Sequence, residues 1–412
     1  MNVEQLKSGS VEAWTWLIRQ QRNMADEIVI GVQSESINSG QTRYLLTLSN
    51  YSEPISLIGN DTNHTEFAFY SQYAAGSNRV APDSWFNWFD QEGGWVVTEE
   101  NGPYHPPSTW SRQDLEHVIE KLARFHGQWW DNNIQSADLP KHPVIESYIH
   151  IEQVQAQSKQ QSSKGRFGIK QAKPKQNIPP VVETAQPFGA AVPELMLASV
   201  GFKMLKKLGG LPDVIEAVHM NALDNLLQHP EIMLKHLHHV PLTLVHGQPV
   251  AENWRINLND EVRLVNWRQA SIGPSICDLA SFIESYIFWH TPRPDSHRLV
   301  HGSLEELLVD HYFMTLGERV SLEGENRPGS SRYLRRYALP AAICWQTVSH
   351  WLPTFADWFN HLPQSRHTWE MFDEMKLDNL NNWGMQNLNQ YRPAIGAIFE
   401  RFLEAYKLLA TD

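Results

Sequence analysis

Apolar positions along the chain repeat with two periods. Short apolar runs bounded by turn residues predict strands at Glu27–Val32, Arg43–Leu48, Pro54–Ile58 and Gly94–Thr98. Ser34–Gly40 reads as a turn between the first two. Helical spacing begins at Val11–Arg22, where Trp14, Leu17 and Ile18 share a face. It returns after Ser111, placed to cap a helix with Leu115, Val118, Leu122, Phe125 and Trp129 on one side. Further helices are expected within Glu194–Leu237, broken at Gly209-Gly210, and at Leu304–Leu316, Arg332–Trp351, Thr368–Met375 and Ala394–Leu409.

Two stretches stand apart. In Leu242–Ala280 an apolar strand (Leu242, Leu244, Val245) runs into His246-Gly247, and a short loop ends at Asn253. A hairpin around Asn259-Asp260 then returns as a second apolar strand, Val262–Trp267. A loop held between two strands is a good place to fix polar groups. Gln153–Pro180 is the opposite: rich in Gln, Ser and Lys, poor in large apolar residues and closed by Pro179-Pro180, it is expected as a long mobile insertion outside the core. Lys159, Lys164, Arg166, Lys170, Lys173 and Lys175 make it a basic block. It is either a solvated loop or an arm reaching an anionic ligand, a partner or the protein's own acidic cleft.

Composition narrows the field. With 412 residues the chain exceeds the usual single domain and suits a two-lobed enzyme fold. Its formal charge of −12 argues against general nucleic-acid or anionic-membrane binding. Two cysteines, Cys277 and Cys344, offer no disulfide framework, as in a reducing compartment. The N-terminus lacks an apolar core of signal-peptide length and no run is long enough to span a bilayer, so a soluble cytoplasmic protein is expected. The sixteen Trp predict an aromatic core or an aromatic-lined pocket, and Trp345, Trp351, Trp358, Trp369 and Trp383 are candidates for either. His236, His238 and His239 lack a second cluster at ligand spacing, so no metal is expected there.

The 242–280 pattern resembles the catalytic loop and metal-binding strand of the aminoglycoside phosphotransferase and choline kinase superfamily, especially its ecdysteroid-kinase-like branch. That pattern runs His-Gly-Asp, a short spacer, Asn, a further stretch to Ile-Asp-Trp or Ile-Asp-Phe, and Asp-Leu-Ala. His246, Gly247, Asn253, Trp267 and Asp278-Leu279-Ala280 match it. LARFHGQWWD, around His126, is similar to the family's Leu-Ala-x-x-His-Ala-x-Trp-Trp helix. The resemblance implies an α+β, two-lobed protein-kinase-like fold. Residues 1–103 would form a small lobe with an antiparallel sheet and one packed helix. Residues 104–412 would form a helical lobe carrying the 242–280 hairpin and the 153–180 insertion, with an acidic hinge at Glu99–Pro103.

The resemblance also implies roles. The family's Asp at the position of Gln248 orients the substrate hydroxyl and takes its proton, and its Asp at the position of Asn266 holds magnesium. Asn253 would be the inherited metal ligand. The phosphate-gripping Lys falls at Gly59 or Asn60, and Glu66 is the helix acid that would pair with it, with Phe67, Phe69 and Tyr70 packing the helix on the sheet. Asp278 would support the loop from behind and could cap the helix after it. An amide keeps the shape of a carboxylate but neither its charge nor its affinity for a proton near neutrality. No Lys lies between Lys7 and Lys121, and no G-x-G-x-x-G occurs.

The expected function is therefore that of a pseudokinase, binding a small molecule or a protein partner without a cofactor. The alternative is an active small-molecule phosphotransferase, or another transferase, using ATP and magnesium, with Glu252 as substitute base or metal ligand and Gln248 orienting the nucleophile. Candidate site residues are Gln248, His246 and Glu252 for chemistry, and Asn253, Asn266, Glu66, Asn60 and Glu99 for the nucleotide.

Overall fold

The computed structural model of the chain describes residues 2–20, 24–76, 79–91, 93–100, 102–131, 138–164, 193–290, 297–324, 327–360, 369 and 388–411. The fold is α+β: a five-stranded antiparallel sheet lies within the first hundred residues, and the remainder of the chain is largely helical. Two compact units divide the chain, one formed by residues 1–140, 242–290 and 302–322, the other by 141–241, 291–301 and 323–412.

In the first unit the strands β1 (Val29–Asn38), β2 (Gln41–Leu48), β3 (Ile55–Thr62), β4 (Ser84–Phe89) and β5 (Gly94–Glu99) are ordered β1-β2-β3-β5-β4. Helices α1 (Val3–Lys7) and α2 (Val11–Gln20) cover one face. Trp14, fully buried, meets Tyr44 and Trp95 edgewise or tilted and donates its indole N–H to the Leu6 carbonyl. Leu17, Ile18, Leu46, Leu48, Leu57 and Val97 complete this core. Burial of so many large apolar side chains, each contributing about 1.5–3 kcal/mol, holds a sheet whose outer edge is polar. Helix α3 (His64–Gln72) is capped by the Asn63 side chain, and α4 (Arg112–Gln128) by a reciprocal pair between Ser111 and Asp114.

Several expectations change here. Ser34–Gly40 is not a loop: β1 runs on to Asn38, and Ser39-Gly40 alone make the turn, with Gly40 at φ +86. Polar residues read as a loop, yet β1 is an edge strand whose later residues are exposed, so its ladder to β2 holds it without an apolar face. Strand β4 gives no signal in alternation, because all six of its residues are half-buried. The strands flanking the loop do not pair with each other. β6 (Leu242–Val245) pairs with β9 (Ser271–Pro274), while β7 (Trp254–Ile256) and β8 (Val262–Leu264) form their own hairpin around Asp260.

Gly59 and Asn60 face opposite sides of strand β3. Gly59 faces the α1–α2 core, where a Cβ would lie 2.5 Å from the Trp95 ring. Asn60 points to the other side, shared with Thr62, because side chains alternate along a strand.

The second unit is helical. Its helices are Pro143–Lys164, Pro193–Lys207, Ala217–Gln228 and Glu231–His238, a run over 331–360, and Leu388–Ala410. The first of these takes in Gln153–Lys164, so the expected insertion begins as helix. Gln, Ser and Lys without Gly or Pro are compatible with helix even when little is buried. Residues 165–180 of that expectation lie outside the described residues, as do Asn101 of the hinge, Trp383 and all but Trp369 of the Thr368–Met375 helix. Within 331–360, Pro340 and Pro353 cannot donate to the carbonyls of Arg336 and Ser349, and wider π turns at Leu334–Ala338 and Thr347–Trp351 contain those carbonyls. Gly201 lets Leu352 approach, since a Cβ would stand 1.8 Å from its carbonyl oxygen.

Trp345, Trp351 and Trp358 are core residues of this unit, each under 5% exposed (4%, 2% and 2%). His238 stacks on Tyr148 and His236 on Tyr337, which explains the histidine cluster as packing.

The two sides of β3 differ in what they accept. Gly59→Ala should lower stability by about 1–3 kcal/mol through overpacking against Trp95, whereas Asn60→Lys should melt within a few degrees of the parent. Thermal unfolding of the two variants checks this, and similar melting temperatures would contradict the assigned faces.

Candidate functional site

Asp278 lies in the first turn of the helix Ser275–His290 and is 1% exposed. Its Oδ2 accepts the His246 N–H at 2.7 Å and its Oδ1 the Gly247 N–H at 3.0 Å. Nε2 of His126, from α4, is 3.2 Å from Oδ2, and Nδ1 of the same ring is 2.8 Å from the Tyr312 hydroxyl. Burial pushes the Asp278 carboxyl up. The hydrogen bond and charge of His126, the charge of His246 and the loop N–H outweigh it, holding the group below its ordinary value. These bonds go to the loop and to His126, so Asp278 braces the loop and does not cap its own helix.

His246 is fully buried. Its Nε2 lies 3.0 Å from the Val265 carbonyl and must donate, while Nδ1 accepts the Gln248 N–H at 3.2 Å. Burial drives its pKa down to about 4. A neutral ring with both nitrogens engaged fixes loop shape and is not free to take a substrate proton. Gly247 adopts φ +83, and a Cβ there would sit 2.3 Å from the Gln269 carbonyl oxygen, so the loop needs glycine.

Asn253 stands between the Gln248 backbone and the Asn266 side chain. The Asn253 Nδ2 donates to the Gln248 carbonyl at 2.8 Å, and the Asn253 carbonyl accepts the Val265 N–H at 2.9 Å. Asn266, at φ 68, is left-handed and exposed, and its Nδ2 reaches Asn253 Oδ1 at 3.5 Å. Gln269, which sequence reasoning missed, donates to Gln248 Oε1 at 3.2 Å. The side-chain amides bond in two pairs, Asn266 with Asn253 and Gln269 with Gln248, and Asn253 also holds the Gln248 backbone. Among the described residues no group of three or more His, Cys, Asp or Glu could hold a metal ion.

Glu66, on α3, is 4% exposed. Its Oε1 accepts the Trp267 N–H at 3.0 Å and its Oε2 the Thr62 hydroxyl at 2.7 Å. Burial pushes its carboxyl up, partly offset by these donors and by Arg268. Glu66 has no Lys from β3, but another cation stands beside it: Nε of Arg268 is 3.5 Å from Oε2. Arg268 also donates to the Asp61 carbonyl, and its own carbonyl accepts from the Asn63 amide at 2.9 Å. Trp267 stacks on Phe69 at 3.7 Å and 7°. The cation comes from the turn after β8 and not from β3, a pairing that no local pattern announces.

Asn60 accepts from the Gln41 amide at 2.8 Å. Glu99 ends β5 with its N–H on the Asp83 carbonyl, while the neighbouring Glu100 makes the ion pair, with both oxygens 2.7 Å from Arg43 and a bond from the Ser56 hydroxyl. Glu252 sits in the tight turn Ala251–Asn253. Its Oε2 is buried with no hydrogen-bond partner among the described residues, and burial raises the carboxyl to about 7. Arg255 bonds the carbonyls of Glu252 and Trp254, not the Glu252 carboxylate.

Two measurements test the brace. Asp278→Ala leaves two buried N–H groups unsatisfied at about 1–3 kcal/mol each, so urea denaturation should show a loss of about 3 kcal/mol; a midpoint like the parent's would contradict it. His246 predicts a pH dependence. Between pH 6.5 and about 4 the unfolded imidazole binds a proton that the buried one excludes, so stability falls as pH drops through this window. The slope should be about 1 kcal/mol per pH unit, and His246→Asn should lack it, so that the difference in stability between parent and variant carries this slope.

No protein-family model and no curated protein matches the sequence. Among solved structures the chain is similar to a choline/ethanolamine kinase family protein from Mesorhizobium loti, at 14% identity and TM-score 0.44 over 96% of this chain and 98% of that one. It is also similar to choline kinase from Cryptosporidium parvum Iowa II, at 12% identity and TM-score 0.46 over 100% and 97%. A third is aminoglycoside phosphotransferase from Alicyclobacillus acidocaldarius, at 11% identity and TM-score 0.47 over 91% of each chain. Each is a likeness in the course of the chain and extends to no residue's role.

Proposed function

We propose that the chain is a pseudokinase: it holds a small molecule or a protein partner on a phosphotransferase-like loop and transfers no phosphoryl group. The carrying observation is that neutral amides, Gln248 and Asn266, stand where the resembled pattern has two carboxylates, the Asn266 amide on Asn253 and the Gln248 amide on Gln269. Magnesium prefers charged oxygens and gives up water reluctantly, so this donor set does not fit it. Gln248 cannot accept a proton near neutrality. Loss of a positioned base alone removes roughly a hundredfold to ten-thousandfold in rate. No cofactor is needed by this reading, and neither nucleic acid nor membrane is its partner. Among the described residues no helix is long and apolar enough to cross a membrane.

One observation favours a second reading. The Glu252 carboxyl, raised to about 7 and without a partner for Oε2 among the described residues, has the proton affinity of a general base and stands beside Asn253. In a rewired phosphotransferase it would replace the missing Asp.

Calorimetric titration of ATP with and without magnesium, alongside a nucleotide-consumption assay over small hydroxyl and amino acceptors, separates the two. The pseudokinase reading expects no turnover and no magnesium-dependent binding tighter than about 1 mM. It also expects little activity after Gln248→Asp with Asn266→Asp, since no Lys grips the phosphates. Magnesium-dependent binding with turnover abolished by Glu252→Gln would promote the second reading.

A further inference from the structure

The helix Pro193–Lys207 of the second unit has two unlike sides. Leu195, Ala198, Gly201, Phe202 and Leu205 are buried, and Gly201 meets the Leu352 carbonyl, so this side is packed within the unit. At about 100° per residue, positions 196, 200, 203 and 207 fall on one line on the other side, flanked by 197 and 204. Met196 is 49% exposed, Leu197 52% and Val200 40%. Lys203 and Lys207, both exposed, continue the line to the helix end. No packing within the unit asks for three large apolar side chains in solvent, and Val holds a helix less well than the Lys, Glu or Gln that such positions usually carry. A contiguous apolar patch bordered by charge marks an interaction surface.

The charge narrows the partner. Glu194 is the helix's only acid, and its position turns it toward the packed side. Lys206 pairs with Asp224 at 3.9 Å, while Lys203 and Lys207 enter no ion pair among the described residues. The stripe is thus apolar in its first half and basic in its second, on a chain whose formal charge is −12. That charge repels an anionic membrane from the chain as a whole. A second copy laying the same stripe on this one would bring no carboxylate to either lysine.

We propose that the stripe is a docking surface for an acidic amphipathic helix of a different protein. Apolar side chains of that helix rest on Met196, Leu197 and Val200, where methionine adapts to their shape, and its carboxylates reach Lys203 and Lys207. Acids are favoured in the first turns of a helix, so the two helices run antiparallel, the partner's N-terminal half over the lysines. The stripe belongs to the second unit and the amide loop to the first, so this inference goes beyond the pseudokinase reading and does not depend on it.

The test is fluorescence anisotropy of a labelled synthetic peptide titrated with the full chain. The peptide is a helix of about 20 residues, with Glu along one face of its first half and Leu along the same face of its second. It should bind about tenfold or more tightly than a peptide of the same composition in scrambled order, and more weakly as salt rises. Leu197→Ser with Val200→Ser should weaken binding about tenfold or more. Lys203→Glu with Lys207→Glu should do the same and transfer the preference to a peptide carrying Lys in place of Glu. That reversal, which an unfolded chain does not show, keeps the result a test of the surface. Equal binding of ordered and scrambled peptides, or binding indifferent to either pair of substitutions, overturns the proposal. So does a dimer in sedimentation that Leu197→Ser with Val200→Ser dissociates, since a second copy then fills the stripe. Co-sedimentation with anionic phospholipid vesicles that Lys203→Glu with Lys207→Glu abolishes overturns it as well.

Discussion

The contact on which the rest of the site depends is the Asp278 carboxylate accepting two successive N–H groups, those of His246 and Gly247. It orients the loop from within the protein and holds the turn through the left-handed Gly247, while burial, against the pull of this carboxylate, keeps His246 neutral. A buried carboxylate of this kind needs donors around it, and His126, fixed in turn by Tyr312, supplies another. None of these groups is among the amides Gln248, Asn253 and Asn266, so the loop is braced by parts separate from those amides.

A second link ties the turn after β8 to the sheet. Glu66 takes the Trp267 N–H, Trp267 lies flat on Phe69, and Arg268 returns to Glu66 and to β3. Strand β3 brings no Lys to Glu66. The cation arrives from the opposite segment, leaving α3 and the turn joined by an ion pair, a hydrogen bond and a ring stack at once.

What the sequence disclosed depends on the range of the interactions. Caps such as Ser111 act within one turn and could be read directly; so could the spacing that joins His246, Asn253 and Asn266, because the short hairpin between them is local. Pairings between distant segments could not. The partner of β6 is β9 and not the nearer β8, and nothing near Glu66 points to Arg268. The second half of β1 was hidden by its polar edge and β4 by uniform half-burial, both cases in which the ladder, not an apolar face, defines the strand. Gln153–Lys164 shows the converse, since composition suggested a loop where helix continues.

Asn266 carries a consequence for how such a protein changes over generations. Its left-handed backbone disfavours most side chains, and apart from Gly the residues that tolerate it best are Asn and Asp. The backbone thus admits the acid and the amide almost equally, so exchanging one for the other leaves folding nearly untouched. Selection for a stable chain is blind to that exchange. Only selection on what the site does can hold the position to one of the two, while the fold itself stays under full constraint.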